Sequence, residues 1–105
     1  MAIQITGTLL DACVLALLCE GDAYGYSLTQ SAKETLDVSE STLYPVMRRL
    51  QTDNYLETYD EPFNGRNRRY YKITQRGIEK YHACLEEWRI FKGKVDQILG
   101  GGEND

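Results

Sequence analysis

Residues Ser39 to Thr74 constrain this chain more than any other stretch. Within Ser39–Gln51, Leu43, Val46, Met47 and Leu50 recur at i, i+3, i+4 and i+7. That spacing sets four apolar side chains on one face of a helix. At about 100° per residue, Ser41, Tyr44, Pro45 and Arg48 gather on the opposite face. This outer face is small, polar and basic, and suits a groove better than a core. A hydroxyl at Ser39 or Ser41 can cap the helix by accepting from a free backbone N–H. Pro45 removes one helical donor, which predicts a tightened or bent first turn.

The residues that follow predict a hairpin. Tyr55–Tyr59 is rich in strand formers. Asp60–Asn67 contains Pro62, Asn64 and Gly65 and predicts a turn. Arg68–Thr74 predicts the returning strand, with Tyr71 and Ile73 on one face and Tyr70 and Lys72 on the other. Helix, hairpin and basic tip in this order describe a winged helix: a mainly α fold with a two-stranded β-hairpin. In such a fold the helix enters a DNA major groove, and the tip reaches a neighbouring groove or phosphates.

Charge distribution supports that expectation. The whole chain carries −4, which argues against a general nucleic-acid coat. From Pro62 to Arg76, however, stand Arg66, Arg68, Arg69, Lys72 and Arg76 with no acid among them. Taking those five cations out of a total of −4 leaves the remainder at −9. A local positive patch on an acidic body favours a placed contact with phosphate over indiscriminate adhesion. The alternative is a solvated hairpin, the common fate of a charge run. Three cysteines (Cys13, Cys19, Cys84) without a C-x-x-C spacing argue against a disulfide framework or a zinc site. Cys13 and Cys19 lie in an apolar stretch and are expected as small core residues. The longest apolar run, Ala12–Cys19, has eight residues, too few to span a membrane. With no signal-peptide pattern, a cytoplasmic protein is expected.

The remaining segments supply the body. Met1–Thr8 is expected as an arm, free or packed on a partner. Leu9–Glu20 is apolar almost all round, so a helix there is buried on several sides, in part by a second subunit. Gly21-Asp22 ends it. Tyr24–Leu36 predicts a second helix, and the Asp37-Val38 turn joins it to the Ser39 helix as a helix-turn-helix unit. Tyr24, near that helix start, either bonds a phosphate or packs on the first helix. Thr74 is expected to cap a last helix running from Gln75 to about Leu99. Ile78, Tyr81, Leu85, Trp88, Lys92, Val95 and Leu99 form a heptad-like seam along it, widened by Cys84, Phe91 and Ile98. A seam this broad exceeds what a small body can cover, which predicts a partner helix from a second copy. Gly93 weakens the helix by about 1 kcal/mol relative to alanine. The organisation expected is a winged-helix unit over 1–74, a dimerisation helix over 75–99 and a flexible tail over 100–105.

Several of these stretches carry a family likeness. Leu17–Tyr26, Ser41-Thr42-Leu43-Tyr44-Pro45, Arg68-Arg69-Tyr70-Tyr71 and Ile73-Thr74-Gln75-Arg76-Gly77 together resemble the PadR family of transcriptional regulators, in its order and spacing. The short single C-terminal helix is similar to the compact subgroup. The resemblance implies a winged-helix homodimer that represses genes, with the first and last helices forming the dimer interface. Leu10, Val14, Ile78, Tyr81, Leu85, Trp88, Val95 and Leu99 are the residues expected there. It also implies, for some compact members, a flat aromatic ligand held between tryptophans of the last helix. Trp88 occupies that place, either as ligand contact or as packing, and Lys92 could pair with an acidic compound or snorkel outward.

The expected mechanism is a dimer holding two reading helices about 34 Å apart over double-stranded DNA, matching a pseudo-palindromic site. Tyr24, Ser39, Ser41, Thr42, Tyr44, Arg48, Arg66 and Arg68 are the candidate DNA-binding residues. Arg48 is the candidate for bidentate guanine reading, while Arg66 and Arg68 are expected on phosphate or in the minor groove. Arg49 is left out, because a salt bridge to an acid such as Asp53 accounts for it. The alternative is a winged helix used only for protein–protein contact. Catalysis is not expected: His82 is the single histidine, and no nucleophile set, zinc spacing or phosphate loop accompanies it. No cofactor is implied.

Overall fold

Over residues 7–100, described by a computed structural model, the chain runs through four helices and three strands. These are α1 (Gly7–Cys19), β1 (Ala23–Tyr24), α2 (Gly25–Leu36), α3 (Glu40–Thr52), β2 (Leu56–Phe63), β3 (Arg66–Ile73) and α4 (Gln75–Leu99). Of the arm expected at Met1–Thr8, residues 1–6 lie outside the described range, and Gly7 and Thr8 open α1. Of the expected tail, Gly100 caps α4 and residues 101–105 lie outside the range.

The inner face of α3 is the one its spacing predicts: Leu43, Val46, Met47 and Leu50 are its buried residues. Ser39 is the cap, accepting from the Thr42 N–H at 3.2 Å. Pro45 does not break the helix. Its missing donor leaves the Ser41 carbonyl at an exposed turn, where water can satisfy it. These α3 residues close on Leu10, Val14, Leu15 and Leu18 of α1, Leu28 and Ala32 of α2, Val38 and Leu56. The central helix α1 also buries an acid, Asp11. The Arg49 guanidinium donates to both its oxygens, at 2.9 and 3.0 Å. This corrects the expected Arg49–Asp53 pair. Asp53 instead caps the end of α3, and a buried carboxylate needs the bidentate partner more.

The sheet has three strands, in order β1-β3-β2, all antiparallel, where a two-stranded hairpin was expected. Strand β1 has only two residues, paired as Ala23 with Tyr71 and Tyr24 with Tyr70. Helix α2 therefore starts at Gly25, one residue later than expected. The hairpin is also longer than predicted. Strand β2 continues through Pro62 to Phe63, and β3 begins at Arg66. Proline is tolerated because β2 is an edge strand. The turn is Asn64-Gly65 alone, with φ of 51° and 78°. Two consecutive left-handed residues are what a tight two-residue hairpin turn requires, and Asn-Gly provides them.

Helix α4 is capped by Thr74, whose Oγ1 accepts from the Gly77 N–H at 3.0 Å. Gly77 is buried where the helix start presses on the Tyr55 carbonyl, so a side chain there has no room. The helix continues through Gly93 to Leu99. Cys84 is buried beneath it and Cys13 is half-buried, but Cys19 is exposed at the end of α1, contrary to its expected core role.

Candidate nucleic-acid interface

The outer face of α3 carries Ser41, Thr42, Tyr44 and Arg48, all exposed. At its N-terminus the Ser39 hydroxyl lies 2.9 Å from Ser41 Oγ and 3.1 Å from Thr42 Oγ1. Ser39 is thus committed to capping, and it positions the other two hydroxyls. Among the described residues Arg48 and Arg66 make no ion pair. Behind α3, on β3, stands Tyr71. Burial pushes its phenol up, and the nearby Arg69 and Arg48 oppose that shift while Tyr44 adds to it. Tyr71 packs against the edge of the core.

The wing is less positive than its sequence implies. Strand register sets Glu57 opposite Lys72, Asp60 opposite Arg69, and Glu61 opposite Arg68. Arg69 Nε donates to Asp60 Oδ1 at 3.2 Å. Between Leu56 and Ile73, three carboxylates thus stand against four cations, and a linear run of β3 does not show them. Arg76 is not at the tip at all. Its Nε–H donates to the Asp53 carbonyl at 3.0 Å, and its guanidinium lies over the Tyr55 ring. Arg66, beside the turn, is the exposed tip cation.

Arg68 and Tyr24 meet in a way the sequence does not reveal. The Arg68 guanidinium carbon lies 4.2 Å from the Tyr24 ring centre and 3.7 Å from that of Phe63. Tyr24 makes no side-chain capping bond. Its ring neighbours Tyr70 at 6.0 Å, and Tyr70 stacks on Tyr59 at 5.5 Å. Tyr59 in turn donates its O–H to Asp22 at 2.7 Å, which pushes its pKa up to about 12. An aromatic cluster covers the outer face of the sheet; the available signal was the alternation of Tyr59 and Phe63 on one strand with Tyr70 on the next.

At the opposite end, Thr8, Leu9, Cys84, Glu87, Trp88 and Phe91 line an open, mostly apolar cavity of about 200 Å³. Trp88 lines it, but Lys92 is not among its walls. Lys92 pairs with Asp96 at 3.2 Å, one turn along the helix. Leu10 and Val14, expected at a dimer interface, are 2% and 1% exposed within the single chain. They belong to its own core and leave no surface for a partner. Ile78, Tyr81, Leu85 and Val95 are half-buried, and Leu99 is exposed. Among the described residues no His, Cys, Asp and Glu cluster has metal-binding geometry. No described helix is long and apolar enough to cross a membrane.

A helix pair with an exposed reading face, followed by a hairpin packed against it, defines a winged-helix transcriptional regulator. Residues 14–83 match the model of the transcriptional regulator PadR-like family. The chain belongs to that family, which is one of regulators rather than enzymes. It is similar to the solved structure of smu.1704 from Streptococcus mutans UA159, at 34% identity, with a TM-score of 0.86 and coverage of 96% of this chain and 95% of that one. A PadR family transcription regulator from hypervirulent Clostridium difficile R20291 superposes with a TM-score of 0.79 at 28% identity, covering 87% of this chain and 98% of that one. Transcriptional regulator Rv3488 of Mycobacterium tuberculosis (strain ATCC 25618 / H37Rv) is 32% identical over 89 residues, 84% of this chain and 80% of its own length.

Proposed function

We propose that this regulator is a repressor that binds a pseudo-palindromic operator as a homodimer. The observation that carries the reading is the outer face of α3, where Arg48 is exposed beside Ser41, Thr42 and Tyr44 and makes no ion pair among the described residues. An unpaired guanidinium on a helix that fits the major groove can read guanine through two parallel hydrogen bonds. Arg66 reaches phosphate at the flanks, with less help from the rest of the wing than the basic run implied. Pairing through α4 would set two such faces about 34 Å apart. A flat aromatic ligand against Trp88 would release DNA only by binding better to the arrangement in which that separation is wrong.

The test is to enrich duplexes from a random-sequence pool and then to compare variants. Arg48→Ala should lose about 1–3 kcal/mol on the enriched site, and discrimination at one base pair should relax. Arg66→Ala should weaken all duplexes alike and reduce the slope of log K against log salt by about 0.9. Failure to enrich any duplex with salt-sensitive binding sinks the proposal. The near balance of charge on the hairpin favours a second reading, a winged helix that contacts only other proteins, and that failure would support it.

A further inference from the structure

The geometry points to a role for Arg68 other than phosphate contact: it is a clasp that fixes the pitch of the wing against the helix pair. The inference rests on the DNA-binding reading only for its consequence. Three observations carry the clasp itself. First, the guanidinium lies over two rings from different parts of the chain, Tyr24 at 4.2 Å and Phe63 at 3.7 Å. Second, Glu61 stands directly opposite Arg68 in the register, yet the two form no ion pair among the described residues. Facing a choice between a carboxylate in water and two aromatic faces, this guanidinium stays on the rings, which suits its weak hydration. Third, Tyr24 is where two elements meet. Its backbone pairs with Tyr70 in β1, and it is also the N-cap residue of α2.

The consequence is mechanical. Phe63 is the last residue of β2 before the Asn64-Gly65 turn. A two-stranded ribbon with an edge proline is poorly restrained on its own. Arg68 holds the end of that ribbon to the residue that starts the helix-turn-helix unit. The distance between Arg66 at the tip and Arg48 on α3 is then set by the protein before DNA arrives, and less ordering remains to be done on binding. Arg68 is therefore a positioning residue.

The experiment compares Arg68→Lys, Arg68→Ala, Tyr24→Leu and Phe63→Leu on a duplex enriched by the wild-type protein, together with amide exchange across residues 62–67. Lysine keeps the charge and loses the planar group. Arg68→Lys should weaken binding about fivefold to tenfold, in line with two exposed cation–π contacts, while the salt slope stays that of wild type. Tyr24→Leu and Phe63→Leu should do the same, and Arg68→Lys combined with Tyr24→Leu should be no worse than either alone. Exchange at the tip should quicken in every variant, with α3 unchanged. Phe63 is at the exposed end of the ribbon, so its variant guards against a general loss of fold. Wild-type affinity for Arg68→Lys overturns the clasp, as does a lower salt slope for Arg68→Ala with unaltered tip exchange; either would make Arg68 an ordinary phosphate contact. Were wild type to enrich no duplex, the operator reading would fall, and the exchange data alone would still decide the clasp.

Discussion

The two halves of α4 differ in what covers them. Its first half, Gln75 to Trp88, is fastened to the body. Thr74 caps it, Gly77 presses on the Tyr55 carbonyl, and Cys84 is buried. Its second half is far less covered: Ile90 is 54% exposed, Phe91 59%, Ile98 84% and Leu99 79%. One apolar seam with steps of three and four runs through both. Periodicity thus reports that a helix has an apolar face, but not whose surface meets it. In the first half the chain's own core does. In the second half a face of this size without cover has the character of an association surface, which is the role the two-copy reading gives it.

That contrast can be broken most severely at Gly77. A Cβ there would collide with the Tyr55 carbonyl and lie 2.7 Å from Ile73 Cγ1. Gly77→Ala should cost about 3 kcal/mol or more, seen as a lowered denaturation midpoint, because backbone cannot yield as a side chain can. A result near zero would mean the first half is not fastened as described. Arg49→Ala is next. It leaves the Asp11 carboxylate unpaired at 9% side-chain exposure and should cost about 2 kcal/mol, part of which Asp11→Ala in the same chain restores. In the projecting half, Phe91→Glu with Ile98→Glu should leave helix content and unfolding of the body nearly unchanged. The mass in sedimentation should fall to that of one chain; an unaltered mass would place the association elsewhere. Gly93, with nothing within 4 Å of a Cβ, provides the mirror image of Gly77: Gly93→Ala should stabilise by up to about 1 kcal/mol in the same denaturation measurement.

The smallest effect is one of pH. Tyr59 is raised from 10.0 to about 12, first by its bond to Asp22. A raised folded value means its contribution is fully present below pH 10 and is lost as pH climbs through 12. Tyrosinate absorbance should show a late-ionising component near pH 12, and Tyr59→Phe should reduce its amplitude by one phenol, leaving any delay of the half-buried Tyr71 in place.

What was legible in the chain was whatever is local. Leu43, Val46, Met47 and Leu50 announce their face through helical spacing, and Ser39 and Thr74 announce their caps because the accepting hydroxyl and the donor N–H lie three residues apart. Strand β1 was not legible, since two residues have no alternation and exist as a strand only through Tyr70 and Tyr71. Pro62 marks a break by local rules and is accommodated only because its strand is an edge. The Arg49 partner is 38 residues away, and the acids opposite Arg68, Arg69 and Lys72 become visible only in the register. In the candidate interface, exposure of Arg48 followed from helix geometry. The stacking of Arg68 on Tyr24 and Phe63 did not, because three separate segments create it.

The contact of Gly77 with the Tyr55 carbonyl has a further consequence for motion. Tyr55 stands three residues beyond the end of α3 at Thr52, and its N–H donates back to the Leu50 carbonyl at 2.9 Å, so the end of α3 and the root of α4 are tied together through this one residue. Helix α4 has 25 residues, a length of about 37 Å. A tilt of only about 6° about its far end would carry the other end by about 4 Å, roughly the rise of one base pair. On the two-copy reading, the spacing of the two α3 helices would then respond to leverage from the distal end of α4.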